Sequence, residues 1–275
     1  MNSVRFASYL PVCSVTFGKF LEWGGTLMGE TALVTGAARR IGRAIATRLA
    51  AEGFALALHA SARSAAEAED FAAALKASGA KAEVLVADLS DHAAARALAA
   101  RAQTSLGSLD LLVNNASVFE PDLPDTLDAE RWQRHFAVNL QAPVFLSAEF
   151  ARLNASRGGS IVNIVDQRVL RLNPRYFSYT LAKSALWTAT QTMAQAYAPL
   201  IRVNAVSPGP VLPNQTDGQE GFLVETATVP LEHAVAPEEI ADAVIYLARA
   251  RSVTGQMICV DSGQHIAWKT PDAMA

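Results

Sequence analysis

The sequence predicts a single α/β domain in which a doubly wound parallel sheet of about seven strands carries helices on both faces. Short apolar runs alternate with longer helical patterns along most of the 275 residues. The strand-like runs are apolar almost throughout, which is typical of strands buried on both faces of a parallel sheet. With 51% apolar and 18% charged residues, the chain can form one large core and is not intrinsically disordered.

Most predicted strands end at a turn and are followed by a helical pattern. The first strand, residues 31–35, meets Gly36, and the next helix carries Ile41, Ile45 and Leu49 on one stripe. Further strands are predicted at 54–58, 82–87, 109–113, 160–165, 201–206 and 255–260. Helices are predicted at about 64–78, 91–105, 129–155, 177–198 and 237–249. Residues 207–230 are Pro-rich and predicted as a loop, which covers the substrate from 210 onward.

Charge, cysteine content and hydropathy exclude several classes of protein. The net charge of −3 provides no basic field to attract nucleic acid. Cys13 and Cys259 are too few for a disulfide framework or a zinc cluster, so we expect no metal site and a cytoplasmic location. The apolar stretch 6–17 is too short to span a membrane. Residues 1–27 are interpreted as a poorly ordered extension before a domain at 28–275, with a targeting signal as the alternative.

The turn after the first strand has the features of a dinucleotide site. It reads Thr-Gly-Ala-Ala-Arg-Arg-Ile-Gly from Thr35 to Gly42. Glycines let the backbone approach a pyrophosphate, and a helix start offers free N–H groups and a positive dipole end. The motif is weak alone, and its position between a strand and a helix strengthens it. The candidate cofactor-binding residues here are Gly36, Arg39, Arg40 and Ile41.

The end of the second strand favours NADP(H) over NAD(H). An NAD site needs an acid there to bind the ribose 2′-hydroxyl, but the segment reads Leu-His-Ala-Ser from Leu58 to Ser61. Arg63 follows, and guanidinium groups suit a phosphate. We therefore predict His59, Ser61 and Arg63 at the adenosine end of NADPH or NADP⁺. Each arginine taken alone is equally explained as solvated surface.

Polar residues also follow the third, fourth and sixth strands. Asp88 could accept from an adenine amino group and Asn114 could hold the cofactor, although a turn-forming role explains each one alone. The other candidate cofactor-binding residues are Leu89, Asn115, Ala116, Ser117, Pro208 and Gly209.

The strongest signal follows the fifth strand. Asp166 ends that strand, and Tyr179 and Lys183 lie four residues apart on a predicted helix, so they share a face. A lysine ammonium beside a phenol is expected to lower the pKa of Tyr179 toward the working pH. The tyrosine is then a candidate general acid or base, and Lys183 also a candidate cofactor-binding residue. A surface pair is the alternative for this spacing alone.

As an ordered set, these residues resemble the short-chain dehydrogenase/reductase family over residues 30–263. The set comprises Thr35-Gly36 to Gly42, Asp88, Asn114 to Ala116, Asn139, Tyr179 with Lys183, Ser207 to Gly209, and Val260 to Gly263. The resemblance implies a Rossmann-type sheet, a nicotinamide cofactor and a homotetramer. It also implies that Asn139 kinks its helix and holds a water in the proton path. From the sequence alone, an exposed helix asparagine explains that residue equally well.

Two departures from the family pattern are informative. Arg40 replaces the usual middle glycine of the first turn, and Asp166 replaces the catalytic serine. Both resemble the pteridine reductase branch, including the bacterial dihydromonapterin reductases. That branch has a similar Asn-Asn-Ala-Ser run followed by a phenylalanine, here Phe119. The resemblance implies a catalytic set of Asp166, Tyr179 and Lys183.

An aspartate at this position favours reduction of a C=N bond. An ionised carboxylate cannot donate a hydrogen bond and repels a developing alkoxide. A pterin nitrogen must instead receive a proton, and a partly buried carboxyl of raised pKa could pass one to Tyr179. The predicted function is NADPH-dependent reduction of a small-molecule pterin such as dihydrobiopterin, dihydromonapterin or dihydrofolate. The candidate substrate-binding residues are Ser117, Phe119 as a stacking plate, Asp166, Tyr179 and Leu212.

Two alternatives stay open at this point. The first is a carbonyl or 3-oxoacyl reductase in which Asp166 is protonated and donates. The second is a catalytically weak NADP(H)-binding protein, which leaves the Tyr179 and Lys183 pair without a purpose.

Overall fold

Seven parallel strands form the centre of the molecule in a computed structural model that describes residues 30–214 and 216–268. The strands are β1 Thr31–Val34, β2 Ala55–Ala60, β3 Ala82–Val86, β4 Leu111–Asn114, β5 Gly159–Ile164, β6 Ile201–Pro208 and β7 Met257–Val260. They form one sheet in the order β3-β2-β1-β4-β5-β6-β7. The predicted fold class is thereby confirmed. The interpretation of residues 1–27 falls outside the described residues.

The helices alternate with the strands along the chain. They are α1 Arg40–Ala51, α2 Ala65–Ala77, α3 His92–Leu106, α4 Ala129–Phe136, α5 Ala142–Leu153, α6 Phe177–Tyr197, α7 Gly218–Thr228 and α8 Pro237–Arg249. The helix predicted at 129–155 is divided, because a π-helical turn at Ala137–Gln141 separates α4 from α5. That turn contains Asn139, where the family resemblance implied a kink.

The prediction that 207–230 is only a loop was wrong, since α7 lies within it. The helix has no apolar stripe to detect: Leu223 and Val224 are 58% and 62% exposed. Its start is organised instead by a polar turn, in which the Asn214 side-chain oxygen accepts from the backbone N–H groups of Thr216 and Asp217 at 2.8 Å. Local hydrogen bonding of this kind leaves no periodic signal.

The core lies on both faces of the sheet, as the apolar strands predicted. Leu33 of β1 pairs with Leu112 of β4, and both are fully buried. Strand neighbours point to opposite faces, so Val34 packs with α1 and α8 while Leu33 packs with α3 and α5. Full burial of a leucine side chain contributes about 1.5–3 kcal/mol, and the central strands are therefore firmly held.

This topology fixes the place of the site. The chain reverses its direction of winding between β1 and β4, which are neighbours in the sheet. Ligands of open α/β sheets bind beyond the carboxyl ends of the strands at this point. The ends of β1, β4 and β5 lie side by side there and carry Thr35, Asn115 and Asp166.

Two absences apply to residues 30–214 and 216–268. None of their helices combines the length and the apolar character needed to cross a membrane. Their His, Cys, Asp and Glu side chains form no group of three that could hold a metal ion.

Candidate active site

The first turn is tightly folded against its surroundings. Gly36 has a φ of +65°, which L side chains rarely adopt. A Cβ on Gly42 would lie 2.1 Å from the carbonyl oxygen of Gly36, so helix α1 could not approach the turn with any larger residue there. Arg40 has a φ of +54°, which explains why a glycine is the common residue at this position in the family that the sequence resembles.

The buried side chain of His59 points toward this turn and not toward the solvent. The backbone N–H of Gly36 donates to His59 Nδ1 at 3.1 Å, so Nε2 carries the ring proton and donates to the Ala87 carbonyl at 3.2 Å. Burial lowers the pKa of His59 to about 4. The histidine was predicted to bind the cofactor, but both ring nitrogens are engaged by the chain itself. It acts on the turn through Gly36.

Asn115 and Thr35 join the turn to the end of β4. The Asn115 amide donates to the carbonyl oxygens of Thr35 and Gly36 at 2.8 and 3.2 Å. The Thr35 hydroxyl accepts from the backbone N–H groups of Asn115 and Ala116 at 2.9 and 3.0 Å. Asn115 and Ala116, both predicted to bind the cofactor, therefore hold the first turn in place through these hydrogen bonds.

Asn114 does not have the role considered for it. Its side chain is buried in the sheet and donates to Asn163 Oδ1 at 2.8 Å and to the Ser147 hydroxyl at 3.3 Å. Asn163 in turn donates to the Thr190 hydroxyl at 2.8 Å. The possibility that Asn114 holds the cofactor, left open beside a turn-forming role, is not supported, because the side chain points into this buried polar chain.

The end of β2 and the start of α1 fit NADP(H). Arg39, the residue before α1, makes no side-chain cap, so its side chain does not occupy the first N–H groups of the helix. Ser61 and Arg63 are exposed just after β2, where no acid is present. Among the described residues, the guanidinium groups of Arg39 and Arg63 form no ion pair. These donors match a pyrophosphate and a 2′-phosphate.

Arg40 lies beside them but points elsewhere. Its guanidinium donates to the carbonyl oxygens of Pro213 and Leu212 at 3.0 and 3.3 Å. Predicted as a cofactor ligand, Arg40 in this structure joins the first turn to the loop after β6. Leu212, predicted to line the substrate site, takes part in that contact through its backbone.

The other predicted cofactor residues have local roles as well. Asp88 forms a turn in which its carboxylate accepts from the Ser90 backbone N–H and hydroxyl at 2.9 and 2.7 Å, and these bonds lower the pKa of Asp88. Leu89 is buried in the core. A Cβ on Gly209 would lie 2.5 Å from the Cα of Asp261, so Pro208-Gly209 passes close to the end of β7.

The three predicted catalytic side chains meet beyond β5. The Tyr179 hydroxyl donates to Asp166 Oδ2 at 2.9 Å. Lys183 is buried one turn further along α6, and its ammonium donates to the Ile164 carbonyl at 2.8 Å. Its Nζ lies 5.8 Å from the centre of the Tyr179 ring. The shared helix face predicted from the spacing is thus observed.

The predicted effect of Lys183 on Tyr179 was wrong. Burial, and next the charge of Asp166, raise the pKa of Tyr179 well above its ordinary value. Burial also lowers the pKa of Lys183 to about 8, because its ammonium loses hydration. Burial and the carboxylate bonded to the hydroxyl thus decide the direction of the shift in the pKa of Tyr179. Tyr179 therefore keeps its proton at neutral pH, which suits a proton donor.

Asn139 supports the loop that precedes the site. Its Oδ1 accepts from the Ser117 hydroxyl at 2.9 Å and from the Val118 backbone N–H at 3.0 Å, and its amide donates to the Val118 carbonyl at 2.8 Å. The π-helical turn directs this fully buried side chain at the loop. Asn139 thereby fixes both backbone groups of Val118, just before Phe119, and the hydroxyl of Ser117.

Phe119 reaches the catalytic tyrosine but is stacked on one face. Its ring lies 4.1 Å from that of Tyr176 with an interplanar angle of 10°, and 4.8 Å from that of Tyr179 at 76°. Tyr176 is buried in a left-handed conformation with a φ of +62°. A flat ligand that stacks on Phe119 can use only the face opposite Tyr176.

Several residues of the site were not predicted. Arg168 pairs with Asp166, with Nη1 3.2 Å from Oδ1. Buried His135 donates to the Ser178 hydroxyl at 2.6 Å, and Ser178 donates to Asp122, which links α4 and α6. These residues carry no motif, and only the tertiary structure brings them together. A cavity of about 690 Å³ opens beside the site, lined by Arg168, Tyr176, Val224 and Gln264 among others.

Comparisons with known proteins agree with this architecture. A family described as enoyl-(acyl carrier protein) reductase matches residues 36–265. The crystal structure of FolM alternative dihydrofolate reductase 1 from Brucella canis, complexed with NADP, is 48% identical, has a TM-score of 0.85, and covers 88% of this chain and 96% of that one. An uncharacterized oxidoreductase from Methylorubrum extorquens is 38% identical over 86% of this chain and 98% of its own. The 3-oxoacyl-[acyl-carrier-protein] reductase FabG of Staphylococcus aureus is 32% identical over 87% and 99%. The chain belongs to the short-chain dehydrogenase/reductase family of nicotinamide-dependent oxidoreductases.

Proposed function

We propose that the protein is an NADPH-dependent reductase of a pterin C=N bond. The observation that carries this proposal is the hydrogen bond from the Tyr179 hydroxyl to Asp166 at 2.9 Å, at a position where a serine is the family pattern. A carboxylate there accepts and does not donate, so it gives no help to a developing alkoxide. It is compatible with a reaction whose product is an N–H group.

Proton transfer is the task of this chain's own residues. NADPH, when bound, supplies the hydride that the substrate carbon receives. The Tyr179 O–H bond breaks and an N–H bond forms on the substrate, so the C=N bond gains one hydride and one proton. Asp166 orients the hydroxyl. Burial, together with the charge of Asp166, raises the pKa of Tyr179, so the tyrosine holds its proton until a basic nitrogen is present. Lys183 of α6, whose ammonium reaches the end of β5 at the Ile164 carbonyl, is proposed to orient the cofactor's ribose.

The substrate is proposed to lie against the free face of Phe119. A flat heteroaromatic ring gains about 0.5–1.5 kcal/mol from stacking beyond its burial. Ser117 and Leu212, in the loops after β4 and β6, are proposed to contact it there. Dihydrobiopterin, dihydromonapterin and dihydrofolate carry such a ring, and the NADP-bound neighbour from Brucella canis is described as an alternative dihydrofolate reductase.

The second candidate is a carbonyl or 3-oxoacyl reductase. It is supported by the FabG relative at 32% identity. In that reaction Asp166 would have to be protonated to help the oxygen, yet its carboxylate is paired with Arg168. A catalytically weak NADP(H)-binding protein is the third candidate, and it leaves the Asp166–Tyr179 contact without a purpose.

NADPH oxidation, followed at its absorbance band, separates these candidates. The assay compares 7,8-dihydrobiopterin, dihydromonapterin and dihydrofolate with a panel of ketones. We expect oxidation that depends on a pterin and is lost in Tyr179→Phe and strongly reduced in Asp166→Ala. Ketone turnover without pterin turnover would favour the second candidate, and tight NADPH binding with neither would favour the third. The homotetramer and the cytoplasmic location stay predictions from the sequence.

A further inference from the structure

Arg168 contacts the catalytic carboxylate through both its backbone and its side chain. It lies in a short turn immediately after Asp166. The Arg168 backbone N–H donates to Asp166 Oδ1 at 2.9 Å, and the guanidinium Nη1 donates to the same oxygen at 3.2 Å. Both side chains are largely buried, at 15% and 16% exposure. A shielded ion pair of this kind is screened far less than a surface pair.

The two oxygens of Asp166 are divided between two partners. Oδ1 is held by Arg168, which leaves Oδ2 for the Tyr179 hydroxyl at 2.9 Å. Nη1 of Arg168 also lies 3.4 Å from Oδ2. The guanidinium therefore fixes the rotation of the carboxylate and places positive charge beside the oxygen that Tyr179 uses. Without Arg168, this carboxylate would be left largely buried and without its counter-ion.

Arg168 also connects the carboxylate to the aromatic residues of the site. Its guanidinium carbon lies 5.2 Å from the ring centres of both Phe119 and Tyr176. Since those rings are stacked 4.1 Å apart, equal distances place the guanidinium beside the stack. A planar guanidinium can pair with a carboxylate and contact aromatic rings at once, whereas a lysine ammonium supplies only a point charge.

We propose that Arg168 is a positioning residue for proton transfer: it pairs with the Asp166 carboxylate and keeps it turned toward Tyr179. It does not touch the reacting atoms and acts through Asp166. This role rests on the proposed function, because it concerns the same proton donor. Arg168 also gives the aspartate at this largely buried position the counter-ion that the serine of the family pattern does not need.

A double-mutant cycle on kcat tests the proposal, using Arg168→Met, Asp166→Asn and the double variant. Asparagine can still accept from Tyr179 but carries no charge for Arg168 to neutralise. We expect Arg168→Met to lower kcat by about tenfold or more, which is within the coupling measured for contacting residues. In the Asp166→Asn background, the same change should lower kcat by less than about twofold. The KM for NADPH should stay within about twofold of the unmodified protein throughout.

Two further variants separate this role from general damage. Arg171→Met is the matched control: it lies on the same segment, is exposed, and forms no side-chain hydrogen bond or ion pair among the described residues. It should retain normal kcat. Arg168→Lys keeps the positive charge, so its kcat should lie between those of Arg168→Met and the unmodified protein. If Arg168→Met does not fold, Arg168→Lys takes its place in the cycle. Equal losses from Arg168→Met in both backgrounds, or no gain from lysine over methionine, would overturn the proposal. Turnover of ketones alone would refute the proposed function and leave the cycle measurable with the ketone.

Discussion

His59 is predicted to make the protein lose stability as the pH falls below neutrality. The ring is 3% exposed, and its unprotonated Nδ1 accepts from the Gly36 N–H. A second ring proton would sit on Nδ1, so the hydrogen bond from the Gly36 N–H would be replaced by a contact between two donors. Burial accordingly lowers the pKa of His59 from its ordinary value of 6.5 to about 4.

The size of the effect follows from proton linkage. Between the two pKa values the unfolded chain binds a proton at this site and the folded chain does not, so stability falls as the pH falls. The contribution is fully present above about pH 6.5 and is lost as the pH falls through about 4, for a total of roughly 3 kcal/mol. From about pH 7.5 to pH 5 the expected loss is about 2 kcal/mol.

Urea unfolding of the unmodified protein and of His59→Gln, followed by circular dichroism at both pH values, measures this. At pH 7.5 the variant should be less stable by about 1–3 kcal/mol, because the Gly36 N–H loses its acceptor. Near pH 5 that difference should shrink by about 2 kcal/mol. A difference for His59→Gln that does not change with pH would refute the reasoning.

Three further predictions concern the cofactor site and the core. The ratio kcat/KM should fall as the pH rises above about 8, because Lys183, proposed to orient the cofactor's ribose, then loses its charge. A ratio that stays constant well above that pH would contradict this prediction. Arg63→Ala should raise the KM for NADPH by about tenfold or more, since a charged hydrogen bond to the 2′-phosphate contributes about 1.5–3 kcal/mol. The KM for NADH, which lacks that phosphate, should not change. Arg96→Ala on α3 is the control. Leu33→Ala should lower the free energy of unfolding, measured in urea, by about 2–5 kcal/mol. Because no titratable group is changed, the loss should be the same at the two pH values used for His59→Gln.

The parts of the fold that the sequence predicted are those set by local patterns. Strands such as β1 and β4 are apolar almost throughout, as expected where both faces of the sheet are covered. The four-residue spacing of Tyr179 and Lys183 likewise predicted their shared face. Helix α7 escaped prediction because its start depends on Asn214 and Asp217 rather than on an apolar stripe.

Errors about the site arose where distant residues decide the outcome. The pKa of Tyr179 was predicted from Lys183, its neighbour on α6, but Asp166 from the end of β5 makes the direct contact. His59 was assigned to the cofactor from its place at a strand end, although its ring turns inward to Gly36 and Ala87. No spacing rule in one sequence indicates which way such a side chain points.

The central claim is that Asp166 commits the site to C=N reduction, and Asp166→Ser tests it most directly. The variant restores the residue of the family pattern, and the measurement is the ratio of kcat/KM for a dihydropterin to kcat/KM for a ketone. We expect the unmodified protein to favour the dihydropterin. In the variant this ratio should fall by about a hundredfold or more, because the serine adds a hydrogen-bond donor for the developing alkoxide and the carboxylate that repels it is removed. An unchanged ratio, with full dihydropterin turnover in Asp166→Ser, would contradict the account.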